Sequence, residues 1–140
     1  YETICGGTGA GPDHPGTSAV HSHMTNTRMT DPEVVEHRFP VRVESFSIRK
    51  NSGGKGKYPG GNGVIRNIRF LESMTATILS SHRETEPYGL GGGQPGKKGQ
   101  NIVTQIDGSR RVLKGNDEVF LSANEIITIK TPGGGGYGKP

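Results

Sequence analysis

The 140-residue chain carries 17 Lys and Arg against 13 Asp and Glu, a net charge of +4, with 24 Gly, 9 Pro and no Trp. No apolar run approaches the roughly 20 residues that cross a bilayer, and no charged-then-apolar leader opens the chain, so no membrane role is expected. The basic residues are dispersed among acids and no aromatic series is spaced for base stacking, so no nucleic-acid partner is expected either.

The remaining composition points to a β-rich fold. Ten Ile stand against five Leu and four Ala, and β-branched side chains fit a pleated sheet better than a helix. The length supports one modest core. A lone Cys5 rules out an internal disulfide, suits a reducing cytoplasm and reads as a packed thiol. Because the chain opens at Tyr1 in mid-motif, we expect a piece of a longer polypeptide.

In chain order, Gly6-Gly7-Thr8-Gly9-Ala10-Gly11 comes first. A phosphate loop needs a strand before it and a helix after it. Pro12 and Pro15 follow instead, so a tight turn lining a cavity is the better reading. His21-Ser22-His23 puts two imidazoles on one face if extended. That spacing would suit a shared metal ion. No Glu-x-x-His or Cys-rich partner follows, so structural or substrate-contacting histidines are expected and no metal is assigned. Thr25-Asn26-Thr27 offers neutral donors and acceptors, which suit either substrate contacts or local turn bonds. Residues 1–30 hold few apolar side chains, spread over thirty positions. Burying them does not offset ordering at about 1–2 kcal/mol per residue, so contacts from outside the chain are expected to order this segment.

One helix is predicted over Thr30–His37. Thr30 and Glu33 have capping-box spacing, Asp31 before Pro32 is an alternative N-cap, and Pro40 ends the segment. Strands follow. Val41 and Val43 share one face, while Phe46 and Ile48 have the opposite parity, which predicts a bulge near Glu44-Ser45. Val64, Ile68 and Phe70 share a face, as do Met74, Ala76 and Ile78. Ile102, Thr104 and Ile106 line one side ahead of Asp107-Gly108, a hairpin signal, with the return over Arg111–Lys114. Val119 with Leu121, then Ile127 with Ile129, complete the series. The basic cluster Arg49–Lys57 reads as a solvated loop. Thr131–Gly138 closes the chain with four consecutive glycines, which fit either a close backbone approach with an anion nest or a plain tail. The expected fold is mainly β: an antiparallel sandwich or barrel-like sheet with one short helix and Gly-rich loops. Residues 1–40 form a loop-rich active-site segment with the helix, and 41–140 a β-rich C-terminal domain.

Several strings resemble one family. Tyr1-Glu2-Thr3 with Gly6-Gly7, then Ala19–Glu33, Arg38-Phe39-Pro40-Val41, Ser52-Gly53-Gly54, Gly60-Gly61-Asn62-Gly63, Tyr88-Gly89-Leu90 with Gly92-Gly93, and Thr131–Gly138 occur in the order found in the hydantoinase B/oxoprolinase family. The resemblance runs from end to end and implies the C-terminal region of such a protein.

It implies ATP-dependent opening of a cyclic amide, with 5-oxo-L-proline giving L-glutamate within glutathione turnover. ATP with Mg²⁺ would be held by an A-type region or subunit outside this chain, which phosphorylates the lactam carbonyl oxygen before water opens the ring. His21 and His23 are then the candidate catalytic residues, and Thr25, Asn26 and Thr27 the candidate lactam-binding residues. The fragment alone would be inactive. Implied partners are the lactam substrate and the A-type region, within an oligomer. The alternatives are a B subunit of an N-methylhydantoinase or an acetone-type carboxylase, or a non-catalytic structural and subunit-docking module of such an enzyme.

Overall fold

The computed structural model describes residues 1–22, 25 and 27–140. His23, Met24 and Asn26 lie outside the described residues. The elements run α1 (Pro32–Arg38), β1 (Val41–Ile48), β2 (Val64–Phe70), β3 (Met74–Leu79), β4 (Gln100–Thr104), β5 (Arg110–Leu113), β6 (Asn116–Leu121) and β7 (Ile126–Lys130). A five-stranded sheet has the order β1-β2-β7-β4-β5, and β3 pairs with β6 in a second sheet. Every strand pairing is antiparallel. The fold is mainly β with one short helix, as the sequence predicts, and neither sheet closes into a barrel. Among the described residues no helix is long and apolar enough to cross a membrane.

Local signals account for several of these elements. The Asp31 side chain accepts from Glu33 N–H at 3.0 Å, with Pro32 in the first turn, so Asp31 rather than Thr30 caps α1. The β1–β2 register shifts between Val43 and Ser45, which is the bulge that the change of parity requires. Gly108 sits at φ +85° and donates to Gln105 O, and Gln105 N–H donates to Ser109 O, so these bonds close the hairpin turn between β4 and β5.

One core joins the two sheets. Val35 of α1, Val41, Phe70, Val103, Leu113, Ile127 and Ile129 pack with Val119 and Leu121 of β6, and Met74, Ala76 and Ile78 of β3 lie against them. One face differs in orientation from a simple apolar reading. In β4 the inward parity belongs to Asn101 and Val103, at 0% and 2% exposure, while Ile106 is exposed and lies beyond the strand. Polar Asn101 can occupy the core side because its amide is fully bonded. Its Oδ1 accepts from Arg83, and its Nδ2 donates to Ser80 Oγ and Lys114 O.

Beyond β7 the chain enters an arrangement that is neither helix nor sheet. Pro132 O and Gly135 O accept from Gly7 and Ala10. Gly133 and Gly136 donate to Lys97 and Gln94. Gly134 and Tyr137 donate to Gly61 and Tyr58. Partners therefore repeat every three residues, and the segment bonds to three neighbours around it. A flat ladder strand has only two sides, whereas an extended chain with three residues per turn faces three ways. The closing glycines are buried, so they are not a tail. The same hub accepts from Gly7 and Ala10 of the apolar-poor N-terminal arm, so within this chain hydrogen bonds to the hub and to residues 59–62 join residues 6–20 to the rest.

Candidate functional site

Two arms of the N-terminal segment lie side by side. Gly6 and Val20 form an antiparallel bridge, with Val20 N–H donating to Gly6 O at 3.1 Å. Ala19, at φ 52°, donates to Asn62 O at 2.9 Å. His21 is the next residue. Its Nδ1 and Nε2 are both buried, and neither has a hydrogen-bond partner among the described residues. Leaving a buried polar atom unmet costs about 1–3 kcal/mol. The ring thus retains a donor and an acceptor for a group that these residues do not supply.

The other candidates are placed differently. Thr25 is exposed, and its N–H and Oγ1 both donate to Ser22 O, at 3.1 and 3.2 Å. Its hydroxyl therefore serves a local turn. Thr27 is exposed. No hydrogen bond joins either threonine to His21 among the described residues. His23 and Asn26 lie outside the described residues.

Two features that the alternation pattern passes over hold the arms. Arg66 sits in the inward parity of β2, between Val64 and Ile68, at 1% exposure. Its Nε and Nη2 donate to the two carboxylate oxygens of Glu2, at 3.1 and 2.7 Å, and its guanidinium lies 5.5 Å from the Phe46 ring centroid. Asn62 is the second feature. Its Oδ1 accepts from Ser52 N–H and Gly53 N–H, and its own N–H donates to Ser18 Oγ. The lone Asn within Gly60–Gly63 was the available signal for this clasp. Glu2 and Arg66, 64 positions apart, left none.

The glycine strings do not fit nucleotide phosphates. Gly7, Thr8, Ala10 and Gly11 donate their amides to Pro132, Thr17, Gly135 and His14, so most of the string's N–H groups are already bonded, and no helix begins at its end. The amides of Gly133, Gly134, Gly136 and Gly138 are bonded in the same way, which leaves no run of successive free N–H groups for an anion nest there among the described residues. A cavity of about 320 Å³ does open between Gly7–Ala10 and Gly133–Gly136, beside Tyr88 and Leu90. The tight turn, however, lies just beyond the string, where Gly11 N–H donates to His14 O. Burial pushes the Cys5 thiol up, against a smaller opposing backbone hydrogen bond, which fits a packed thiol.

Comparison with known proteins assigns this architecture. The family description Hydantoinase B/oxoprolinase matches residues 1–140. The chain belongs to the hydantoinase B/oxoprolinase family. An uncharacterized protein of Schizosaccharomyces pombe is 56% identical over 99% of the chain and 11% of its own length. The protein named 5-oxoprolinase 1 of Arabidopsis thaliana is 51% identical, again over 99% of the chain and 11% of its own length. The chain thus spans about a tenth of these family members. The crystal structure of the ATP-dependent caprolactamase from Pseudomonas jessenii shares the fold, with a TM-score of 0.82 and 22% identity over 98% of this chain and 25% of that one.

Proposed function

We propose that the chain is the C-terminal part of an ATP-dependent cyclic-amide hydrolase that opens 5-oxo-L-proline to L-glutamate. The whole-chain similarity to 5-oxoprolinases supports this reading, and the observation that carries a site is His21, whose two ring nitrogens are buried and without a hydrogen-bond partner among the described residues. In this reading residues 1–40 are the active-site segment and 41–140 the β-rich domain behind it. ATP with Mg²⁺ acts in an A-type region or subunit elsewhere, where it converts the lactam oxygen to a phosphate ester. In this reading His21 or His23 takes a proton from the attacking water, and Thr25, Asn26 and Thr27 are the proposed lactam-binding residues. The setting is glutathione turnover in the cytoplasm, within an oligomer.

The test is ATP-coupled turnover of 5-oxoproline by the intact protein carrying His21→Ala. Loss of a general base lowers turnover by about a hundredfold or more. Unchanged turnover in a folded variant removes His21 from the chemistry.

A second reading, a structural and docking module, is favoured by the exposed Leu79 and Phe120, at 82% and 65%, on the small β3–β6 sheet. The isolated chain would then bind the A-type region without binding 5-oxoproline. Failure to bind that region would count against the module.

A further inference from the structure

Arg49 and Arg83 bring two guanidinium groups to one stretch of backbone. Arg49 Nη1 donates to Lys98 O at 2.7 Å and to Thr131 O at 3.0 Å. Arg83 donates from Nε and Nη2 to Asn101 Oδ1, at 3.2 and 3.0 Å, and from Nη1 to Ser81 O at 2.7 Å. Its guanidinium lies so close to Gly99 that a Cβ there would collide with it. Asn101, wholly buried, is itself held by Ser80 Oγ and Lys114 O. Both guanidiniums are thus held by neutral acceptors, Arg49 at the Lys98 carbonyl and Arg83 against the adjacent Gly99.

Among the described residues neither arginine has an acidic partner. Among the described residues the ion pairs are Asp13–His14, Glu2–Arg66 and Glu44–Arg69. Glu84 and Glu86 lie close to Arg83 in sequence, yet neither pairs with it. Burial, and then the neighbouring Arg49 charge, push the Arg83 guanidinium down to about 10. Burial likewise lowers Arg49. Two half-desolvated like charges are costly to hold together unless an anion joins them. Lys97 and Lys98, both exposed, add positive potential at the same place. A carboxylate matches a single fork. A tetrahedral oxyanion has oxygens for both forks and accepts charge-assisted bonds from their remaining N–H groups.

We propose that Arg49 and Arg83 form a binding site for a phosphate oxyanion, distinct from the His21 site and independent of the lactam reading. The phosphate is either free or the terminal group of a nucleotide. The test titrates inorganic phosphate, and separately ADP, into the intact protein at low ionic strength by calorimetry, for wild type, Arg49→Gln and Arg49→Lys. Phosphate affinity is expected to fall about tenfold in Arg49→Gln and by less in Arg49→Lys, which keeps the charge and loses the fork. Unchanged ADP affinity assigns the site to free phosphate, and a parallel loss assigns it to a nucleotide. If Arg49→Gln does not fold, Arg83→Lys takes its place. Phosphate binding equal to wild type in a folded variant of either arginine would overturn the site.

Discussion

Gly134 has no room for a methyl group. A Cβ built there lands within the Thr8 carbonyl, and one at Gly133 meets the Ser52 carbonyl. Because both obstacles are backbone, relief requires moving a segment. Gly134→Ala is expected to lower the opening free energy of neighbouring amides by about 3 kcal/mol, read by hydrogen exchange in the intact protein. Gly108→Ala is the control: its Cβ meets nothing, but φ +85° is strained, so a local loss of about 1–2 kcal/mol at the hairpin is expected. Equal effects at the two positions would contradict the close-packed hub. Arg66 tests a different physics. Glu2→Gln leaves a buried guanidinium without its countercharge and should cost about 3 kcal/mol or more, measured as faster exchange across β2. At this scale His21 was singled out from the sequence, because two histidines one residue apart in a polar segment are conspicuous. The Glu2–Arg66 pair was not, since no local pattern links residues so far apart.

Short elements followed their local chemistry. Asp31, Pro32 and Pro40 bracket α1, the parity change marks the β1 bulge, and Asp107-Gly108 makes the β4–β5 turn. Where a buried polar side chain replaces an apolar one, alternation points the wrong way, as Ile102 and Ile106 do against Asn101. The hairpin carries a pH signature. Asp107 accepts from Ser109 N–H at 2.9 Å and Ser109 Oγ at 2.6 Å, and these bonds, side chain first, hold its carboxyl below the usual value of 3.8. A depressed folded value means that the turn's added stability is present above 3.8 and lost as pH falls through the lower folded value. The Ser109 amide resonance should titrate with a midpoint below 3.8, and Asp107→Asn should abolish that step. A midpoint at or above 3.8 would remove the Ser109 bonds as the cause.

Across the whole molecule, strand order was not legible. Which of several similar strands sit side by side depends on long-range contacts that periodicity does not encode. The glycine strings were visible as strings, yet their threefold arrangement appears only when all the neighbouring segments are present. That arrangement predicts protection in unusual places. Amides of Gly7, Ala10, Gly134 and Gly136 should exchange as slowly as those of β7, although none lies in a helix or strand. Exchange of the 7–10 amides at the rate of free peptide would show that the hub does not hold the arm. The order in which the chain is made adds a consequence in time. The hub at 132–138 is synthesised after each segment that surrounds it. Until it emerges, the arm that leads to His21 lacks its anchor, so within residues 1–140 that arm is expected to order after the sheet rather than with it.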